Sequence, residues 1–191
     1  MKRVFIIVVL VVVALAFCLQ AFAGYRAELR HATSRGGMYD MKTGNAKLLW
    51  SATLFTDGYR RAFAEKHVEI KYLNPVEAAL YIGEQENEQA REWEVVLAMY
   101  TPKAYKKFSL EKDSFWETFL TTDFGEDVQP LSVEEIKITP YWRVMYPFLE
   151  RWAKLYRITF PKAALGKKAY ITMRSVVGDD SLRWKVRSVS E

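Results

Sequence analysis

The sequence predicts an α+β protein in which N-terminal helices pack on a C-terminal antiparallel β-sheet or sandwich of about six strands. Three observations carry this expectation. Apolar residues first recur every three or four positions, at Leu48, Ala52, Phe55, Tyr59 and Ala62, the period of one helix face. Asn74-Pro75-Val76-Glu77 then supplies a second helix start, with an amide acceptor at the cap, proline at the first position and glutamate where a capping box needs it. After Arg91 the period becomes two. Helical and strand patterns do not alternate as they do in a doubly wound nucleotide-binding fold.

The chain opens with Lys2 and Arg3, followed by an uncharged run from Val4 to Ala23. A basic start and an apolar stretch make an export signal, and Ala21 and Ala23 are the small residues that a signal peptidase accepts before Gly24. Cleavage between Ala23 and Gly24 is the expectation. An uncleaved anchor is the alternative, because about 20 uncharged residues can span a bilayer. Leu15-Ala16-Phe17-Cys18 resembles in part the lipobox of bacterial lipoproteins, but Phe17 stands where that motif has a small residue. In either orientation-setting case the two cations keep the N-terminus in the cytoplasm and the domain outside.

Removing residues 1–23 leaves about 168 residues, one domain of ordinary size. Half of the 191 residues are apolar, 15% are aromatic and 27% are charged, which excludes a disordered or fibrous chain. The net charge of +5 falls to about +3 without the signal, too weak a bias for nucleic acid. Cys18 is the single cysteine, so the exported form would hold neither a disulfide nor a thiolate metal site. Asn45, Asn74 and Asn87 all fail the glycosylation pattern, and with the short basic start this favours the bacterial periplasm.

Residues 24–45 mix Arg26, Arg30, Arg35 and Lys42 with Gly36-Gly37 and show no sustained apolar period; they read as a flexible arm, leaving 46–191 as a single α+β domain. The first helix carries Gly58, a weak point that allows a break near Asp57. Val68, Ile70 and Tyr72 alternate, but helix is preferred there. In the second helix Val76, Ala79 and Leu80 form the expected buried stripe, and Glu84, Glu86, Glu88 and Glu92 a solvated acidic face. Trp93, Val95, Leu97 and Met99 form the apolar face of the first strand, which stops at Thr101-Pro102. Five further strands are expected at Phe115 to Thr122, Leu131 to Ile138, Lys154 to Phe160, Ala169 to Val177 and Leu182 to Val189. Gly178-Asp179-Asp180-Ser181 reads as the turn of a terminal hairpin that pairs Val177 with Leu182, Ser175 with Trp184 and Met173 with Val186. Leu182, Trp184 and Val186 then point inward, and Arg174, Arg183, Lys185 and Arg187 form a basic outer face.

Few residues point to chemistry. His31 and His67 share no metal-ligand spacing, and the carboxylates do not cluster around them. No nucleophile elbow, phosphate loop or dinucleotide motif is present. Asp179 and Asp180 fit a turn, and neither they nor Glu134, Glu135 and Glu150 make a facing pair of the kind a glycosidase needs. No cofactor and no metal are therefore expected. Seven aromatic residues lie between Tyr141 and Phe160. Tyr156 and Phe160 belong to a strand core, whereas Trp142, Tyr146 and Trp152 flank Pro147 and are the candidates for a groove that takes a sugar, a peptide or a partner protein. The basic residues Arg174, Arg183, Lys185 and Arg187 are candidates for contact with an anionic surface, or protect an edge strand. The function expected is a non-catalytic binding or interaction module of the cell envelope, with an envelope protein, glycan or anionic surface as partner. Membrane contact would come only through an uncleaved signal or lipid anchor. A hydrolase acting on envelope material is the alternative.

Overall fold

The protein is described by a computed structural model covering residues 24–102, 110, 116–162, 165–176 and 178–186. The export signal with Cys18, Phe115, Val177 and Arg187 lie outside the described residues. Strand β3 (Glu92–Tyr100) organises the fold, because it is apolar on both faces. Val95, Leu97 and Met99 face one core, and Val96 and Ala98 face the other. A strand buried on both sides needs a layer above and below it.

The sheet around it is antiparallel, in the order β1 (Thr33–Tyr39), β2 (Ala46–Leu54), β3, β7 (Lys154–Pro161), β6 (Ser132–Ile136). One of its faces packs on a second antiparallel sheet of order β5 (Asp127–Val128), β4 (Glu117–Thr122), β8 (Lys168–Ser175), β9 (Gly178–Lys185). The core between the sheets holds Leu48, Trp50, Leu97, Tyr156, Phe160, Ile171, Leu182 and Trp184 among others. Helices cover the opposite face: α1 (residues 24–32), α2 (Asp57–Lys71), α3 (Pro75–Arg91) and α4 (Pro140–Met145). Tyr25, Leu29, Phe55, Tyr59, Phe63 and Tyr146 fill that second core. The protein is thus α+β with antiparallel sheets and a β-rich C-terminal region. All six expected strands are present, and β1, β2 and β5 are additional.

Several expectations change. Residues 24–45 are not a loose arm throughout: Tyr25, Leu29 and Ala32 are the buried side of α1, and β1 pairs with β2 along its length. β1 escapes the periodicity test because close approach, rather than bulk, is required there. A Cβ on Gly36 would lie 2.6 Å from Leu182 Cδ2 and 2.8 Å from Asp180 Oδ2, which only glycine avoids. Residues 46–54 form a strand, not a helix, since Leu48, Trp50, Ala52 and Leu54 alternate into the sandwich core. Leu48 and Ala52 satisfy both periods, and Trp50 and Leu54 decide between them. The helix starts only after Thr56, whose hydroxyl caps Tyr59 N at 3.3 Å.

The capping box at Asn74 and Glu77 forms with all its bonds at 3.0 Å. The stripe behind it is not buried, however. Val76 and Leu80 are 70% and 65% exposed, while Gln85 and Gln89 are the buried residues of α3. This helix is held by polar bonds from Gln85 and Gln89 to Arg60 and by the stacking of Tyr81 on His67, not by the expected stripe.

The terminal hairpin also shifts. Ser175 pairs with Gly178, Met173 with Asp180, Ile171 with Leu182 and Ala169 with Trp184, so only two positions separate the paired ends. Gly178 has a φ of 134°, which glycine adopts without strain, and Asp180 accepts the Trp50 indole N–H at 2.8 Å instead of making the turn. The displacement from the expected register is an even number of residues. Leu182 and Trp184 therefore still point inward and Arg183 and Lys185 outward.

Candidate functional site

A short segment after α4 builds a cleft on the helical side of the large sheet. Pro147 cannot continue α4, and two tight turns follow, closed by Leu149 N to Tyr146 O at 3.0 Å and Ala153 N to Glu150 O at 3.2 Å. Tyr146 and Leu149 are buried and anchor the segment. Phe148, Glu150 and Trp152 then stand over β1, β2 and β3, where Arg35, Leu49, Ser51, Ala98 and Tyr100 complete a cleft of about 350 Å³.

Two of the aromatic rings in it, Phe148 and Trp152, lie against cations. The Arg35 guanidinium lies 4.6 Å from the Phe148 centroid, and that of Arg151 lies 5.1 Å from the Trp152 centroid. Neither arginine makes an ion pair among the described residues. A guanidinium over a ring face can still offer N–H donors to a ligand's acceptors. Trp152 remains 66% exposed, so most of its indole surface is available.

The three aromatic groove candidates do not stay together. Trp152 lines the cleft. Tyr146 is 1% exposed within the helical core, with its ring 5.9 Å from Trp142 and 5.8 Å from Phe148. Trp142 is half-buried and packs between Tyr146 and Phe63, the latter at 6.5 Å. The correction has a simple cause: α4 lies on the sheet, so its rings become core. Phe148 belongs to the same aromatic run, whereas Arg35 and Leu49 carry no sequence signal beyond the neighbouring Gly36-Gly37 pair.

The basic candidates divide as well. Arg174 opposes Asp179 across the hairpin and lies 4.8 Å over the Phe119 ring. Arg183 and Lys185 lie further along β9, opposite Tyr170 and Lys168, and all three are exposed.

Titratable groups do not converge on the aromatic cleft, where Glu150 is the sole carboxylate among the lining residues and histidine is absent from them. Two titratable groups outside the cleft sit in closely packed surroundings. His67 is stacked on Tyr81 at 4.1 Å and its Nδ1 is 2.7 Å from Tyr141 Oη; burial, with Lys71 beside it, pushes its pKa down. Glu94 is pushed up by burial, against the pull of Arg60 and Arg157. Its two oxygens meet those cations at 2.9 and 3.0 Å, so it is a satisfied structural acid. No group of three or more His, Cys, Asp or Glu among the described residues is placed to hold a metal ion. Searches against models of known protein families, curated proteins and solved structures find no match for this chain.

Proposed function

We propose that the chain is a non-catalytic binding module of the cell envelope, and that it holds a glycan or peptide segment of an envelope component in the cleft of Arg35, Leu49, Phe148 and Trp152. The observation that carries this reading is the lining: an exposed indole and the Arg35 guanidinium, which makes no ion pair among the described residues, flank an open apolar floor. Rings of this kind take the apolar face of a sugar or side chain, and the rim donors take its oxygens. A hydrolase would need an acid and a base facing one substrate atom, and a lone glutamate does not supply that pair. Export rests on the basic start, the apolar run and the Ala21-Phe22-Ala23 site. Among the described residues no helix is long and apolar enough to cross a membrane.

Binding of the protein to purified envelope polysaccharide and to envelope peptides tests the cleft. Trp152→Ala and Arg35→Gln should each weaken capture at least tenfold while far-UV circular dichroism stays unchanged. Wild-type affinity in both variants would overturn the assignment. N-terminal sequencing of the exported protein tests the address, with Gly24 expected first; an intact Met1 would mean an anchor and a lipidated Cys18 a lipoprotein.

A further inference from the structure

A second cleft, of about 680 Å³, lies where the end of α1, the first turn of α2 and the end of β9 meet. Its lining brings Arg30 and His31 of α1 together with Arg183 and Lys185 of β9. We propose that this cleft binds an anionic ligand carrying phosphate or carboxylate groups, with Arg30, Arg183 and Lys185 as its charge contacts. The inference is independent of the aromatic cleft.

Charge placement supports it. Arg30, Arg183 and Lys185 make no ion pair among the described residues, and Arg30 spends only its Nε–H, on Arg26 O at 3.3 Å. The two carboxylates in the lining, Glu28 and Asp57, lie at the start of α2. Glu28 lies against the start of α2, where a Cβ on Gly58 would come within 2.9 Å of its Oε2. Asp57, in the first turn, accepts from Gln89 Nε2 at 2.7 Å. Both carboxylates thus sit at the amide end of α2, which favours negative charge, and that helix end is not vacant for a ligand. Arg30 on one wall and Arg183 and Lys185 on the other thus outnumber the two carboxylates of the lining, and low-dielectric walls concentrate their field.

Trp93 and Trp184 complete the lining. Lys162 Nζ lies 3.6 Å from the Trp93 centroid and adds positive charge beside that wall. The Trp184 ring is buried in the core between the sheets, and its indole N–H has no hydrogen-bond partner among the described residues. Arg174, on the same hairpin, is outside this lining and serves as an internal control.

The two tryptophans provide the readout. The full chain is titrated with tripolyphosphate and, separately, with citrate at low ionic strength, and indole emission is followed. A saturable change is expected with at least one of them, weakening as salt is added; the responding anion assigns phosphate or carboxylate, and a response to both assigns the shared charge. The Arg183→Gln/Lys185→Gln double variant should bind at least tenfold more weakly, and Arg30→Gln, on the opposite wall, should also weaken binding. Arg174→Gln should bind as wild type. Absence of a saturable response to either anion would overturn the proposal, as would equal weakening by Arg174→Gln and by the double variant.

Discussion

Arg60 carries a full positive charge at 2% exposure, and burial at that level is tolerated only where each donor has an acceptor. Its Nε donates to Gln89 at 2.7 Å, one terminal nitrogen to Gln85 and Glu88 at 3.1 and 3.0 Å, and the other to Glu94 at 2.9 Å. Arg60→Met should destabilise the fold by about 3–5 kcal/mol, because Glu94 would keep its buried charge with only Arg157 to offset it; chemical denaturation measures this. Tyr72 makes the opposite case. It ends α2 in the left-handed region at φ 52° and is 92% exposed, so Tyr72→Gly should stabilise by roughly 1 kcal/mol. A lower unfolding midpoint in that variant would show that the ring has a contact worth more than the backbone strain. His67 has a depressed pKa in the folded state, so the unfolded chain takes up its proton first as pH falls. The stabilisation is complete above the unfolded value of about 6.5 and is lost as pH drops through the folded value. The unfolding midpoint should therefore decline between about pH 7 and pH 5 less steeply in His67→Gln than in the wild type.

Elements differ in how plainly the sequence announces them. Strand β3 is legible because Trp93, Val95, Leu97 and Met99 alternate without interruption, and α3 because Asn74 and Glu77 have few other uses at that spacing. What remains hidden are the contacts that such patterns do not encode. β1 places Gly36 inward beside Met38, too short an apolar alternation to reveal it, and β2 shares two of its positions with a helical period. In the aromatic cleft Trp152 is legible as a bulky residue near a proline, but Arg35 becomes a partner of Phe148 only after β1 has paired. The closeness of Gly36 to β9 gives a test at this scale. Gly36→Ala should destabilise by about 1–3 kcal/mol, since Asp180 cannot swing away from the added methyl group without giving up the Trp50 indole. Thermal unfolding that leaves the variant at the wild-type midpoint would show that β1 and β9 can part without cost.

At the scale of the whole molecule, the two cores lie on opposite faces of one sheet and share its strands. Damage on either side should therefore be felt as a single event. Phe55→Ala on the helical side should cost about 3–5 kcal/mol and Ile171→Ala on the sandwich side about 2–5 kcal/mol, with near- and far-UV circular dichroism reporting one coincident transition in each. Separate transitions would show that the helical layer and the sandwich melt as independent units. The contact between Gly36 and Leu182 joins the first strand to the last, and this has a temporal meaning. As the ribosome extends the polypeptide, the sandwich-facing side chains of β1 and β2 emerge early, yet the strand that closes over them is made last. For most of synthesis those side chains stay uncovered, the condition in which nascent chains need shelter from one another. A nascent chain halted at Ser175 would still lack its closing strand, and protease should digest it far faster than the finished protein.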